Sequence, residues 1–334
     1  GVMIAFIAFL KWGLPGMVMG QFVGSVITFF TFLSVVHREL HFEFDPKMWR
    51  QMISYGWPFV PHHLFAQGMA FMGQYFIVRM FGLGEAGLYH LATKFALPIA
   101  LVISSIQKAW VPYKFQMHSE LQDSDRFFKS VVLFYVFAIS TAWIIVSVWG
   151  PEALWFLADS RFHAAGAFIP LLAFVEISRG LYFMLGTGVE LTDDTRMLPL
   201  VSLGGLVALV GSSYILIPLF GGYGAAWGAI LGWLTMAFLI ALLAQSRFPI
   251  SHRWGLLFGI VVFAATAVGL STQLQARLGL LERIAWDCLV SLLFPLVIIG
   301  LLWRSETERL LLKKSLIQIE SRFLAWRGCR SDRD

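Results

Sequence analysis

The amino-acid sequence predicts an all-α polytopic membrane bundle of about ten transmembrane helices, and three observations carry that prediction. Of 334 residues, 58% are hydrophobic and only 13% are charged, whereas about a quarter of a soluble domain is charged. The apolar residues fall into long runs, most of them near the roughly 20 residues a helix needs to cross a bilayer. Lys and Arg collect at the ends of those runs, as the positive-inside bias requires. A mean hydropathy of +0.74 excludes an ordinary cytosolic enzyme, a disordered chain and a secreted disulfide scaffold. Of the two cysteines, Cys288 lies in an apolar run and Cys329 in a basic tail, so no structural disulfide is expected. The net charge of +5 follows membrane topology, and nucleic acid is not an expected partner.

The spans are expected at approximately 1–10, 16–36, 57–80, 86–108, 127–149, 165–187, 197–219, 223–245, 254–272 and 284–303. Each must be helical, because lipid leaves every backbone group to be satisfied within its own segment. An apolar run begins at Gly1 with no basic n-region, so it is not a signal peptide. Residues 1–10 are expected to be the tail of a helix whose beginning is absent.

Alternate connections differ in basic charge. One set holds Arg38, Lys47 and Arg50, then Lys108, Lys114, Arg126 and Lys129, then Arg196, then Arg247 and Arg253. The other holds Lys11, Arg79, Arg161, nothing around Gly221, then Arg277 and Arg283. The richer set is expected in the cytoplasm, and so is the C-terminal tail with Arg304, Lys313, Lys314 and Arg322 among its cations. That tail is expected to anchor the topology near anionic lipid.

An internal repeat joins two helix pairs. GLPGMVMGQFVG at 13–24 and GGYGAAWGAILG at 221–232 both carry glycine at relative positions 1, 4, 8 and 12. Small residues every fourth position let helix backbones approach closely. If the halves are equivalent, about four helices precede Gly1, giving two six-helix lobes, related as parallel repeats, plus two extra helices. The expected organisation is therefore 1–36 as the last helix pair of a first lobe, 37–56 as a cytoplasmic amphipathic linker and 57–246 as a six-helix second lobe. Two additional helices follow at 247–303 and a basic cytoplasmic tail at 304–334.

Several stretches then resemble a known family: MISYGWPFVPHHL (52–64), GQYFIVRMFGLGEAGLYHLATKFALP (73–98), SIQKAWVPY (105–113), RFHAAGAFIPLL (161–172), GLYFMLGTGVELTDDTRMLPLV (180–201) and LIPLFGGYGAAWGAILG (216–232). Their order resembles the second lobe of polysaccharide biosynthesis proteins, the Wzx-like oligosaccharide flippases of the MOP (MATE-like) superfamily. The resemblance covers most of 1–245 and is looser in the last two helices. It implies a MATE-like two-lobe helical bundle, its first lobe largely missing here, around a central cavity. It also implies alternating access, a bacterial cytoplasmic (inner) membrane location, and a polyprenyl-diphosphate-linked oligosaccharide as cargo. Membrane lipids and other polysaccharide-assembly proteins are the remaining expected partners.

Ionisable residues at bilayer depth cost a few kcal/mol and each needs a reason. His90, Lys94, Leu101, Ser105 and Lys108 fall within about 60° of one another at 100° per residue, a polar stripe on an apolar helix. Lys94 either faces a wet cavity or snorkels and pairs with another helix; Lys108, near the helix end, is cavity residue or anchor. Pro98 is expected to bend the helix beside Lys94. Glu176 lies mid-span with Arg179 three residues on, neighbours on a helix. They form a simple ion pair, or Glu176 carries a coupling proton or cation while Arg179 joins Lys94 and Lys108 in a cationic cavity. Arg79 is an interfacial anchor or a phosphate contact, and Gln67 and Gln74 share a face that can line the cavity. Tyr89 and Tyr182 either stack on sugar rings or pack helices.

His62 and His63 at the cytoplasmic mouth lack the further ligands a metal needs, so neither metal nor cofactor is expected. Asp193 and Asp194 read as a solvated turn, and the HRELH stretch at 37–41 as surface. With no GxxxxGK[ST] loop the chain has no ATPase, and it is not expected to be an enzyme. The alternatives are a drug or cation antiporter on the same architecture, a membrane enzyme of polysaccharide assembly, and a non-transporting scaffold.

Overall fold

A computed structural model describes residues 13–37, 44–120, 124–192, 195–275 and 277–303. The expected span at 1–10, the Asp193–Asp194 turn, Glu39 and His41, and the basic tail lie outside the described residues. The chain is an all-α polytopic membrane protein: eight helical stretches among the described residues are long and apolar enough to cross a membrane. One of them, Pro46–His118, holds two crossings.

The chain divides into two compact units at Ile53 and Ser54. The first contains α1 (Gly13–Val36) and most of α2 (Pro46–Gly56). The hydroxyls of Ser25, Thr28 and Thr31 donate to the carbonyls of Gln21, Gly24 and Ile27 at 2.8–3.0 Å. That satisfies these three hydroxyls within an apolar helix. Asp45 caps α2 by accepting from the Lys47 amide at 2.8 Å, and Pro46 is pre-set for a first helical position. No residue of α2 is buried, and Met48, Trp49, Met52 and Ile53 give it one apolar side, the pattern of a helix lying on a membrane surface.

The second unit contains α3 (Phe59–Glu120), α4 (Ser124–Leu157), a 3₁₀ segment (Ser160–Phe168), α5 (Ile169–Leu185), α6 (Thr187–Leu191), α7 (Leu198–Phe220), α8 (Gly222–Arg247), α9 (Trp254–Gln275) and α10 (Leu280–Trp303). The sequence predicts two spans at 57–80 and 86–108 with a connection between them. The structure has two helical legs there, together α3, which meet in a kink at Gly82, at φ 81° and ψ −177°. That conformation is essentially restricted to glycine. Pro98 and Pro112 sit inside α3 with helical dihedrals. Asp159 opens the 3₁₀ segment, accepting from the Arg161 amide at 3.1 Å and its Nε at 3.0 Å; these bonds hold its carboxyl below the usual range.

Between transmembrane helices, lipid supplies no hydrophobic driving force, so close packing matters more. The most extensive helix pair is α7 with α8. A Cβ on Gly224 would collide with the backbone carbonyl of Leu216, and one on Gly228 with the Ser213 hydroxyl. At Gly232 it would stand 2.9 Å from Leu209 Cβ and 3.0 Å from the Gly205 carbonyl oxygen. The second glycine repeat thus seats α8 on α7. Its counterpart is less closely packed at its end: nothing lies within 4 Å of a Cβ built on Gly24.

Two apolar cores result. One gathers the second leg of α3 with α4, α5, α9 and α10, around Ile99, Ile139, Ile177, Ala264 and Phe294. The other gathers the first leg of α3 with α5 to α8, around Met69, Leu209, Met236 and Ile240.

Candidate functional site

The second leg of α3 buries Ala86, Tyr89, Ala92, Ala96, Ile99 and Ile103, three or four residues apart. The opposite face carries the predicted stripe, and His90, Lys94, Leu101, Ser105 and Lys108 are all exposed. Ser105 is satisfied within the helix, donating to the Leu101 carbonyl at 2.8 Å. The carbonyl of Lys94 has no i+4 donor, because Pro98 lacks an N–H. On the first leg, Gln67, Gln74 and Arg79 are also exposed, while Met69 and Ile77 are buried.

Glu176 and Arg179 form the expected ion pair, Oε2 to an η nitrogen at 2.5 Å, on α5. Arg179 lies within electrostatic reach of Tyr135. A Cβ on neighbouring Gly180 would meet the Tyr135 hydroxyl and Ile103. Ile103 is on the buried face of α3, opposite the stripe. The structure therefore brings Arg179 to Glu176 and Tyr135, but not to the His90–Lys94–Lys108 face. Tyr89 is buried against Phe168, with ring centroids 6.2 Å apart, so it packs helices.

A partly open pocket of about 170 Å³ with one polar side forms where α5 breaks into α6 at Gly186, bounded also by the starts of α3 and α7 and by α8. Its polar walls are His62, His63, Tyr182 and Glu190. His62 is buried; its Nε2 lies 3.4 Å from the Tyr182 hydroxyl and its Nδ1 has no partner. Tyr182 thus reaches the pocket with its hydroxyl while its ring stacks on His62. Behind Glu190, Lys114 forms an ion pair with its carboxylate and is only 1% exposed. Trp110 Nε1 donates to the Thr187 hydroxyl at 3.2 Å, which donates to the Met184 carbonyl at 2.8 Å, tying α3 to the break. A second cavity, of about 250 Å³, is wholly apolar and lies among Val132, Phe174, Leu181, Leu234, Trp254 and Leu257.

Residues 1–118 match the family model described as polysaccharide biosynthesis protein. That is 118 of 334 residues, including α1, α2 and nearly all of α3. The match supports the family resemblance read from 52–64, 73–98 and 105–113. No curated protein and no solved structure matches the chain.

Among the described residues, no three His, Cys, Asp or Glu side chains are grouped to hold a metal ion. Sequence reasoning missed three polar residues that the structure singles out. Lys114 and Glu190 pair across distant segments, which no spacing reveals. Asp287 is fully buried in α10. A carboxylate within an apolar span is a signal in its own right and was legible at that position.

Proposed function

We propose that the protein is a flippase, moving a lipid-linked oligosaccharide or polysaccharide precursor across the bacterial cytoplasmic membrane by alternating access. One observation carries the reading: the unburied face of a membrane helix presents His90, Lys94 and Lys108. A lysine against hydrocarbon costs about 2.5–3.5 kcal/mol by insertion scales, so a face with three ionisable groups borders water. A hydrated, cationic wall suits an anionic cargo that cannot cross lipid unaided. Polyprenyl-diphosphate-linked sugar has that chemistry, and the polysaccharide biosynthesis match over residues 1–118 supports it.

In this reading Lys94, His90 and Lys108 hold the diphosphate, with Gln74 and Arg79 contacting cargo nearer the outer end. The isoprenoid chain stays in lipid. Glu176 exchanges the coupling ion, and Arg179 poises it. Residues 57–246 act as one six-helix lobe, 37–56 as the linker and 247–303 as two additional helices. The positive-inside bias puts the pocket at His62 and Glu190, and the C-terminus, in the cytoplasm. The work is movement rather than bond chemistry, so no catalytic residue is assigned.

The test is Lys94→Ala and Glu176→Gln in the gene expressed at its own locus, with surface polysaccharide and protein level measured. A charged hydrogen bond is worth about 1.5–3 kcal/mol, so each variant is expected to lower export by about tenfold or more at normal protein level. Normal export by both would overturn the site.

A further inference from the structure

We infer that Asp287 is a proton-binding site, held as a neutral carboxylic acid where α4, α9 and α10 meet. Asp287 lies two turns into α10 and is 0% exposed. Its Oδ1 accepts from Gln275 Nε2 at 2.9 Å, and that amide also points at the Val148 carbonyl, at 3.3 Å. Its Oδ2 is buried with no partner.

The charged groups that face it are Arg283, one turn earlier on α10, and Glu152 on α4. Arg283 is engaged elsewhere: its Nε donates to the Leu278 carbonyl at 3.0 Å, and an η nitrogen lies 3.8 Å from Glu152 Oε1. Asp287 is left with one shared amide donor. An ionised carboxylate so placed bears a burial cost that binding a proton removes. The balance is one proton from water added to Oδ2, leaving Oδ1 as the acceptor for Gln275.

A metal cation is the poorer occupant. It needs several oxygen ligands, yet Oδ1 is occupied by Gln275, and the nearby Ser271 hydroxyl accepts from Trp286 Nε1 at 3.1 Å. Arg283 adds a positive charge close by. The site is separate from the Glu176 pair and independent of the flippase reading. It places a second titratable group in the membrane, at the contact that fastens α9 and α10 to α4.

The test is infrared spectroscopy of the full chain in lipid nanodiscs at neutral pH, with and without isotopically labelled aspartate. A carboxylic-acid carbonyl band that shifts with the label is expected. It should be lost entirely in Asp287→Asn, retained in Glu176→Gln and unchanged by added sodium or potassium. Asp287 is the one aspartate inside the membrane-crossing stretches of the described residues. A wild-type chain without a label-shifted band therefore overturns the inference whether or not Asp287→Asn folds. Absence of a label-sensitive acid band, its survival in Asp287→Asn, or its loss on adding sodium or potassium would each overturn the inference.

Discussion

Lys114 and Glu190 form an ion pair that joins the end of α3 to the short helix α6, with Lys114 1% and Glu190 30% exposed. The two halves are therefore unequal. Glu190→Gln leaves a fully buried ammonium without a countercharge, and the expected loss is about 3–5 kcal/mol. Lys114→Met leaves a carboxylate at the edge of a polar pocket, where water can replace the lost partner, and the expected loss is about 1–3 kcal/mol. The double variant should return to within about 1 kcal/mol of the parent, because a neutral Met–Gln pair of similar volume leaves no buried charge uncompensated. Unfolding in detergent across the four proteins measures this as a double-mutant cycle. Strictly additive losses would show that the pair does not act as a unit.

Gly224→Ala and Gly211→Ala make the same chemical change in neighbouring helices with opposite expectations. At Gly224 the new Cβ meets the Leu216 carbonyl, backbone that cannot step aside. Forcing the hairpin of α7 and α8 apart should cost about 1–3 kcal/mol. At Gly211 nothing lies within 4 Å, and alanine in a helix interior should gain about 0.5–1 kcal/mol. Thermal unfolding of the two variants side by side gives the comparison. Equal melting temperatures would mean that the glycine face does not set the helix spacing.

Much of this fold is legible in the sequence because one physical demand, about 20 apolar residues per crossing, dominates each span. The stripe on α3 is legible for a similar reason: 100° per residue puts His90, Lys94 and Lys108 together whatever surrounds them. The connection predicted at GLGEAG is present as a sharp kink rather than a loop. Only Gly82 has to leave the helical basin, and its neighbours return to helix at once. The apolar run alone puts the end of this span near residue 108, with Lys108 as cavity residue or anchor. The helix continues to Glu120, and Lys114 is buried by pairing with Glu190, a contact no local pattern announces. Tyr89 and Tyr182 show the same limit. Their spacing does not distinguish packing on Phe168 from lining a pocket beside His62.

The hydrated face of α3 is open to a direct test by cysteine chemistry. Exposure to lipid and exposure to water are indistinguishable in accessible area, but a thiol ionises only in water, and the thiolate is the reacting species. With Cys288 and Cys329 replaced, single cysteines at His90, Lys94 and Lys108 should react with a membrane-impermeant thiol reagent. Leu296 supplies the control: it is 67% exposed on α10, with Leu292 and Leu293 exposed on the same helix. Leu296→Cys should react at least about tenfold more slowly. A lipid diphosphate added in excess should protect Lys94→Cys and leave the Leu296 position unchanged. Equal sluggishness at positions 94 and 296 would put the stripe against hydrocarbon. The cationic wall, and the flippase mechanism built on it, would then have no physical basis.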